Sequence, residues 1–416
     1  MVKTRLNLEP EVQQIFNCID SNTSFVLRGG AGSGKTYSLV QTIKQIIVEQ
    51  PKARIACITF TNIAAEEIME RINHKNLVVS TIHDFLWNNI KQFQKNLKES
   101  LVSLINNKTT YFSFKSNDEI AINDHYFNDK KILYKEYVQL TEGIISHDQI
   151  LKLGEDMFEK YELLCRIVVN KYPFIFVDEF QDTHKEMARI LFKHLQKLEH
   201  KKTIVGLFGD EMQQIYDSGI GDLKSFMLSE NIVANNIEYI DKTANRRNPE
   251  QVIKLANTLR DDGLKQTASQ DHNAPNMDNG VIKNGQITFI YSDHQAENTT
   301  QLKQLKDKLV KNYGWNFDND YESKELYLTH KIIASHAEFK KLMEIYSEDK
   351  ILEYVRSIKR HIESNNISVD VSNDVGEILK QLSQADQLKS PTKSIETFIN
   401  DNLNLYNYAL SCQYSH

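Results

Sequence analysis

The chain has 416 residues, enough for roughly two to four domains with buried cores, and its 40% hydrophobic and 25% charged residues are those of an ordinary globular protein. A net charge of -6 gives no general attraction to polyanions, so any nucleic-acid binding has to come from a local basic surface. No run approaches the roughly eighteen apolar residues of a spanning helix, and Met1-Val2-Lys3-Thr4-Arg5-Leu6-Asn7 lacks the apolar stretch of a signal peptide. No membrane partner is expected, and a cytoplasmic location is. The four cysteines, Cys18, Cys57, Cys165 and Cys412, are far apart without a CxxC pair, which excludes a zinc ribbon and gives no disulfide framework.

In chain order, residues 25–29 form a short apolar run ending in glycines, and a helical pattern starts at Lys35. A second strand is expected from Arg54 to Thr61, followed by an Ala- and Glu-rich helix to about Arg71. Residues from about 88 to 165 are helix-prone and read as an insertion. A third strand falls at Pro173–Asp178 and a fourth at Thr203–Asp210. Each of these runs is nearly continuous in apolar residues, as in strands buried on both faces of a parallel sheet. With helices between them they predict a doubly wound α/β domain. Residues 261–286, rich in Asp, Asn, Gly and Gln, read as a flexible loop or linker. A strand at Gln286–Tyr291, a helix and a strand at Glu325–Thr329 then suggest a second α/β domain, and the sequence from about 334 onward is helical.

Gly29, Gly30, Ala31, Gly32, Ser33, Gly34, Lys35 and Thr36 make a Gly-x4-Gly-Lys-Thr phosphate loop between a strand and a helix. Its glycines let backbone N–H groups turn inward around phosphate oxygens, helped by the helix N-terminus. Lys35 is expected on the β- and γ-phosphates of ATP, and the Thr36 hydroxyl on Mg²⁺. Asp178-Glu179 ends the third strand, on the side of the sheet where the phosphate loop lies. Asp178 is expected to hold the Mg²⁺ and Glu179 to polarise the attacking water.

The block Asp178-Glu179-Phe180-Gln181-Asp182-Thr183 resembles the DExQD signature of UvrD/Rep-like superfamily 1 DNA helicases. Matching blocks stand around it in order: Thr59-Phe60-Thr61-Asn62 with Ala64, Ala65, Glu67 and Arg71; Thr81-Ile82-His83; Gly209-Asp210-Glu211-Met212-Gln213-Gln214-Ile215-Tyr216; and Asn245-Arg246-Arg247-Asn248. The resemblance covers about residues 7 to 257. It implies a RecA-like motor domain over 1–87 and 166–240, an inserted helical subdomain over 88–165, a partial second RecA-like domain over 241–333 and a helical region over 334–416. It also implies roles. Gln13, 22 residues before Lys35, reads the adenine edge, with Gln14 as the alternative. Gln213 couples the γ-phosphate to the DNA surface, and Arg247 acts as an arginine finger. Thr61, Asn62, Thr81, His83 and Tyr216 lie along the DNA.

The chain also departs from the family. Arg246 replaces the tyrosine that stacks on the base and Tyr37 replaces the arginine after GKT, so adenine is expected between a swapped cation and aromatic pair. Asp217-Ser218-Gly219-Ile220-Gly221 stands where the family has GWRGA, removing a base-stacking tryptophan; Phe85, Trp87, Tyr111, Phe112 and Phe114 are candidate stand-ins, with a place in the buried core expected for most of them. Residues 331–416 contain neither a TxHxxKGLEF-like nor a VAxTRA-like segment. The sequence thus predicts a DNA-dependent ATPase and 3′→5′ helicase, incomplete as a motor. The alternative is an ATP-binding, DNA-binding regulatory subunit whose protein partner supplies the missing half.

Overall fold

The computed structural model describes residues 5, 8–107, 112, 122–123, 125–198, 203–216, 218–232, 237–291, 299–319 and 323–326. The region 334–416, Cys412, Tyr111, Phe114 and most of the strand expected at Glu325–Thr329 lie outside them. The chain divides into two compact units, Met1–Thr288 and Phe289–His416.

The first unit opens with helix α1 (Pro10–Asp20), strand β1 (Ser24–Arg28), helix α2 (Lys35–Glu49), β2 (Ile55–Thr59), α3 (Asn62–Arg71), β3 (Leu77–Thr81) and α4 (Ile82–Ile90). The insertion follows as α5 (Gln94–Asn106), the two-residue strands β4 (Leu133–Tyr134) and β5 (Ile144–Ile145), α6 (His147–Lys160) and α7 (Glu162–Lys171). The chain then returns to the sheet with β6 (Phe174–Asp178), α8 (Lys185–Arg189), β7 (Ile204–Gly209), α9 (Leu223–Ser229) and β8 (Ile237–Asp241). Last come β9 (Ala244–Asn245), α10 (Glu250–Leu259) and the short strands β10 (Thr267–Ala268), β11 (Met277–Asp278) and β12 (Val281–Ile282).

Six strands pair in the order β3-β2-β6-β7-β1-β8, all parallel. The four central ones are those the apolar runs predict. The two edge strands, β3 and β8, are only partly buried, so their sequences carry no continuous apolar signal. Alternation then sorts the side chains onto two cores. Phe25, Leu27, Cys57, Phe176 and Phe208 pack with α1, α2 and α3 on one face. Val26, Ile58, Ile175, Val177 and Leu207 pack on the other with α4 and the insertion helices, which therefore share the core of the sheet. Phe85 and Phe112 are buried in this second core and Trp87 packs against it. This removes Phe85 and Phe112 as replacements for the missing base-stacking tryptophan.

Two expectations change. Residues 261–286 are not a linker: Leu264, Gln266, Ser269, Ala274 and Asn276 are buried, and β10 pairs with β9 in parallel. The polar composition misleads because its amides are buried in the interior, where Asn276 donates to the Asn245 and Asn248 carbonyls and Gln266 accepts from the Asn245 side chain. The strand expected at Gln286–Tyr291 is not formed either. Ile287, Phe289, Ile290 and Tyr291 are exposed and no strand accepts them among the described residues. In the second unit, helix α11 (Thr299–Tyr313) carries Lys306, which pairs with Glu325 and lies over the Phe317 ring. Among the described residues no helix is long and apolar enough to cross a membrane, and Cys18, Cys57 and Cys165 are free and buried.

Gly206 sits mid-strand in β7, flanked in register by Phe25 and Phe176. A Cβ there would meet Phe25 at 2.4 Å and Phe176 at 2.7 Å. Gly206→Ala is therefore expected to destabilise by about 1–3 kcal/mol through overpacking, read as a lowered urea midpoint at unchanged m-value. An unchanged midpoint would show that the aromatic layer yields freely.

Candidate active site

The parallel sheet lines up the C-terminal ends of its strands, and each motif block occupies one of them. After β1 the phosphate loop turns into α2 with Gly32 and Gly34 at φ +87° and +85°, a region closed to most side chains. Lys35 is 8% exposed, and its Nζ donates to the Gly29 carbonyl at 2.8 Å. Across the sheet at the end of β6, Asp178 is 7% exposed, and its Oδ2 is 3.5 Å from the Thr36 hydroxyl. Its Oδ1 is buried without a hydrogen-bond partner. Burial, reinforced by the Glu179 charge, pushes the Asp178 carboxyl up to about 7, against the pull of Lys35. A buried carboxylate with an orphaned oxygen beside a hydroxyl fits a hard dication. Among the described residues no group of three or more His, Cys, Asp or Glu could hold a metal unaided. Further ligands for Mg²⁺ would come from phosphate and water.

Glu179 holds a left-handed backbone at φ 50°, rare for a side chain of its kind and common where a site imposes strain. Its Oε2 accepts from Gln181 Nε2 at 2.9 Å. Gln181 Oε1 in turn accepts the Asp210 N–H at 3.1 Å, and Asp210 Oδ2 accepts from Gln213 Nε2 at 2.6 Å. One hydrogen-bonded chain thus runs from the end of β6 to the end of β7, joining Glu179 to Gln213.

The Asn245–Asn248 segment is docked on the phosphate loop. Asn245, fully buried, donates to the Ala31 carbonyl at 2.8 Å and Asn248 donates to it at 3.1 Å, while the Arg246 N–H reaches the Gly32 carbonyl at 2.9 Å. The Arg246 side chain pairs with Asp271 at 2.5 Å. Arg247 is exposed, with its Cβ against Gly32 and no ion pair among the described residues. Tyr37 is exposed and its hydroxyl accepts from Gln41 at 2.9 Å. Gln13 and Gln14 are exposed on α1, and Gln13 donates to Leu8 O at 3.0 Å. From the same segment it is Glu9 that reaches α2, accepting from Ser38 at 2.8 Å and pairing with buried Lys242 at 2.6 Å.

The residues expected along DNA fall into two groups. Thr61 caps α3, its hydroxyl accepting the Ala64 N–H, and Asn62 beside it is exposed. Phe60 next to them stacks on exposed Tyr216 with ring centroids 4.8 Å apart. In the second group Thr81 caps α4 and donates to Asp84 at 2.8 Å. His83 meets His147 and His184 edge-on at 4.7 and 5.9 Å. Burial, with help from those two imidazoles and against Asp84, lowers the His83 pKa to about 4, so the ring is neutral at physiological pH. An antiparallel bridge between His184 and Gly219 ties the two groups together.

Sequence reasoning missed Phe60, Asn245 and His184 as site residues, although all three stand in or beside the blocks it used. It had no signal for Lys242 or His147.

Residues 13–218 match the family profile of the AAA domain. The Gabija protein GajB of Bacillus cereus (strain HuB5-5) is 30% identical over 465 aligned positions, covering 90% of this chain and 64% of that protein. The ATP-dependent DNA helicase Rep of Escherichia coli (strain K12) is 25% identical, covering 61% of this chain and 43% of Rep. Among solved structures, a Pif1 helicase from Candida albicans superposes loosely, with a TM-score of 0.30 and 14% identity over 57% of this chain and 40% of that one. The chain thus spans less than two-thirds of the length of these relatives. With its motif blocks in order on the strand ends of one parallel sheet, the N-terminal part of this chain is similar to that of UvrD/Rep-like superfamily 1 DNA helicases.

Proposed function

We propose that the chain is an ATP-driven DNA translocase, cytoplasmic, acting on single-stranded or partly duplex DNA with 3′→5′ polarity. The observation that carries this reading is the continuous hydrogen-bonded chain from Glu179 to Gln213, beside a buried Asp178 whose Oδ1 has no partner. In this reading Gly29 to Gly34 cradle the phosphates, Lys35 offsets their charge, and Thr36 and Asp178 hold Mg²⁺. The ion neutralises charge that develops on the phosphate oxygens when it is bound. Glu179 takes the proton of the attacking water; Gln181 occupies its Oε2 and leaves Oε1 without a hydrogen bond among the described residues. Gln213 senses the γ-phosphate, and exposed Arg247 stabilises the transition-state charge as a finger. Gln13, Tyr37 and Arg246 are assigned to the base, which requires Arg246 to leave Asp271.

Thr61, Asn62, Thr81, His83 and Tyr216 are assigned to the nucleic acid. The Phe60–Tyr216 stack supplies the aromatic platform that the missing tryptophan would have given, since any base can stack on an exposed ring. A protein partner supplying further motor segments belongs to the same proposal.

Two measurements test the reading. ATP hydrolysis should be stimulated by single-stranded DNA and abolished in Glu179→Gln, which should still bind ATP with Mg²⁺. Binding without turnover in the wild type would instead support the regulatory subunit that relies on a partner. Separately, Tyr216→Ala should weaken binding of single-stranded DNA by about 1–3 kcal/mol and leave ATP affinity unchanged. Equal DNA affinity would remove the platform from the account.

A further inference from the structure

The most deeply buried ion pair near the site involves a residue that no motif announces. Arg260 follows the last turn of α10 with its side chain 8% exposed, and it grips Asp210, which is 1% exposed, through two parallel bonds: Nη1 to Oδ2 at 2.8 Å and Nη2 to Oδ1 at 2.7 Å. Its other edge holds Asp262, through Nε at 3.0 Å and Nη2 at 2.5 Å. Asp210 is thereby fully engaged, since Oδ1 also accepts the Met212 N–H and Oδ2 the Gln213 amide. One guanidinium between two carboxylates leaves a net negative charge in a low-dielectric place. Such pairs seldom add stability over an apolar core, and Asp262 alone would neutralise the arginine. Holding Asp210 needs another reason.

We propose that Arg260 is a positioning residue for hydrolysis: by fixing Asp210 it sets the orientation of Gln213 and, through Gln181, of Glu179. The inference rests on the reading above that Glu179 and Gln213 serve hydrolysis. The segment that bears Arg260 is also the one docked on the phosphate loop. It enters α10 from Asn245–Asn248, bonded to Ala31 and Gly32, and leaves α10 at Arg260, bonded to Asp210. Past Arg260 it returns to the loop with buried Gln266, which accepts from Asn245 at 3.1 Å. Helix α10, about 15 Å long by its ten residues, therefore spans from the loop that receives the nucleotide to the glutamine assigned to sense it. A shift of α10 toward or away from the sheet moves both together. Without the guanidinium, the buried Asp210 carboxylate loses its two-pronged partner and turns toward water, and Gln213 then loses its fixed acceptor.

The test uses the full chain and compares wild type, Arg260→Lys, Arg260→Gln and Asp262→Asn by DNA-stimulated hydrolysis, ATP affinity and thermal midpoint. Lysine keeps the charge but not the two-pronged grip, so Arg260→Lys should fold like wild type even where Arg260→Gln does not. The expected result is a kcat lowered about 10- to 100-fold in Arg260→Lys with ATP affinity unchanged, and a kcat near wild type in Asp262→Asn. A merely structural role would lower the thermal midpoint and leave kcat per folded molecule intact. Wild-type kcat in a folded Arg260→Lys, or a raised KM at unchanged kcat, overturns the inference alone. A wild-type chain without turnover overturns the functional reading and the inference with it.

Discussion

Parallel pairing of β1, β6 and β7 is the constraint on which the site depends. In a parallel sheet all strands point the same way, so every loop leaving a C-terminal end emerges along one rim. β7 lies between β6 and β1, which puts the phosphate loop, Asp178-Glu179 and Asp210–Gln213 in adjacent exits. None of the three could find the others if a strand ran the opposite way. Burial on both faces holds that order, with phenylalanines of three strands, Phe25, Phe176 and Phe208, in mutual contact and Gly206 giving two of the rings their space.

What could be read in the sequence follows from the same physics. The four central strands announce themselves because both faces are apolar, and the phosphate loop because the backbone at Gly32 and Gly34 is closed to most side chains. The edge strands β3 and β8 escape notice because one side of each meets solvent. Residues 261–286 mislead for a different reason. Asparagines and glutamines look like surface, but Asn245, Gln266 and Asn276 are buried with their amides turned to backbone and to one another. Nothing in local composition distinguishes such an amide from a solvated one. Arg260 is illegible on the same grounds, since its meaning lies in Asp210, fifty residues earlier.

The site is therefore held from two sides. The sheet supplies the residues with recognisable motifs, and the segment from Asn245 to Asn276 backs them with a layer of amides and one guanidinium. Its contacts on the phosphate loop go to the carbonyls of Ala31 and Gly32 and to no N–H group of the loop, so the donors that phosphate oxygens need remain uncommitted to this segment. Asp182, which accepts from Gln181 at 3.4 Å, extends the network toward the surface proposed for nucleic acid by accepting the Ile215 N–H at 3.1 Å, one residue before Tyr216. The groups proposed to face the nucleotide and those proposed to face DNA are thus joined by direct hydrogen bonds.

That linkage has a thermodynamic consequence, because two coupled binding sites must influence each other equally. The most direct measurement is the affinity of Glu179→Gln for single-stranded DNA with and without saturating ATP and Mg²⁺, paired with its ATP affinity with and without DNA. The account predicts that each ligand changes the affinity for the other, by the same factor. Identical affinities in all four conditions would contradict it, leaving a nucleotide site and a DNA surface that share a sheet but not a mechanism.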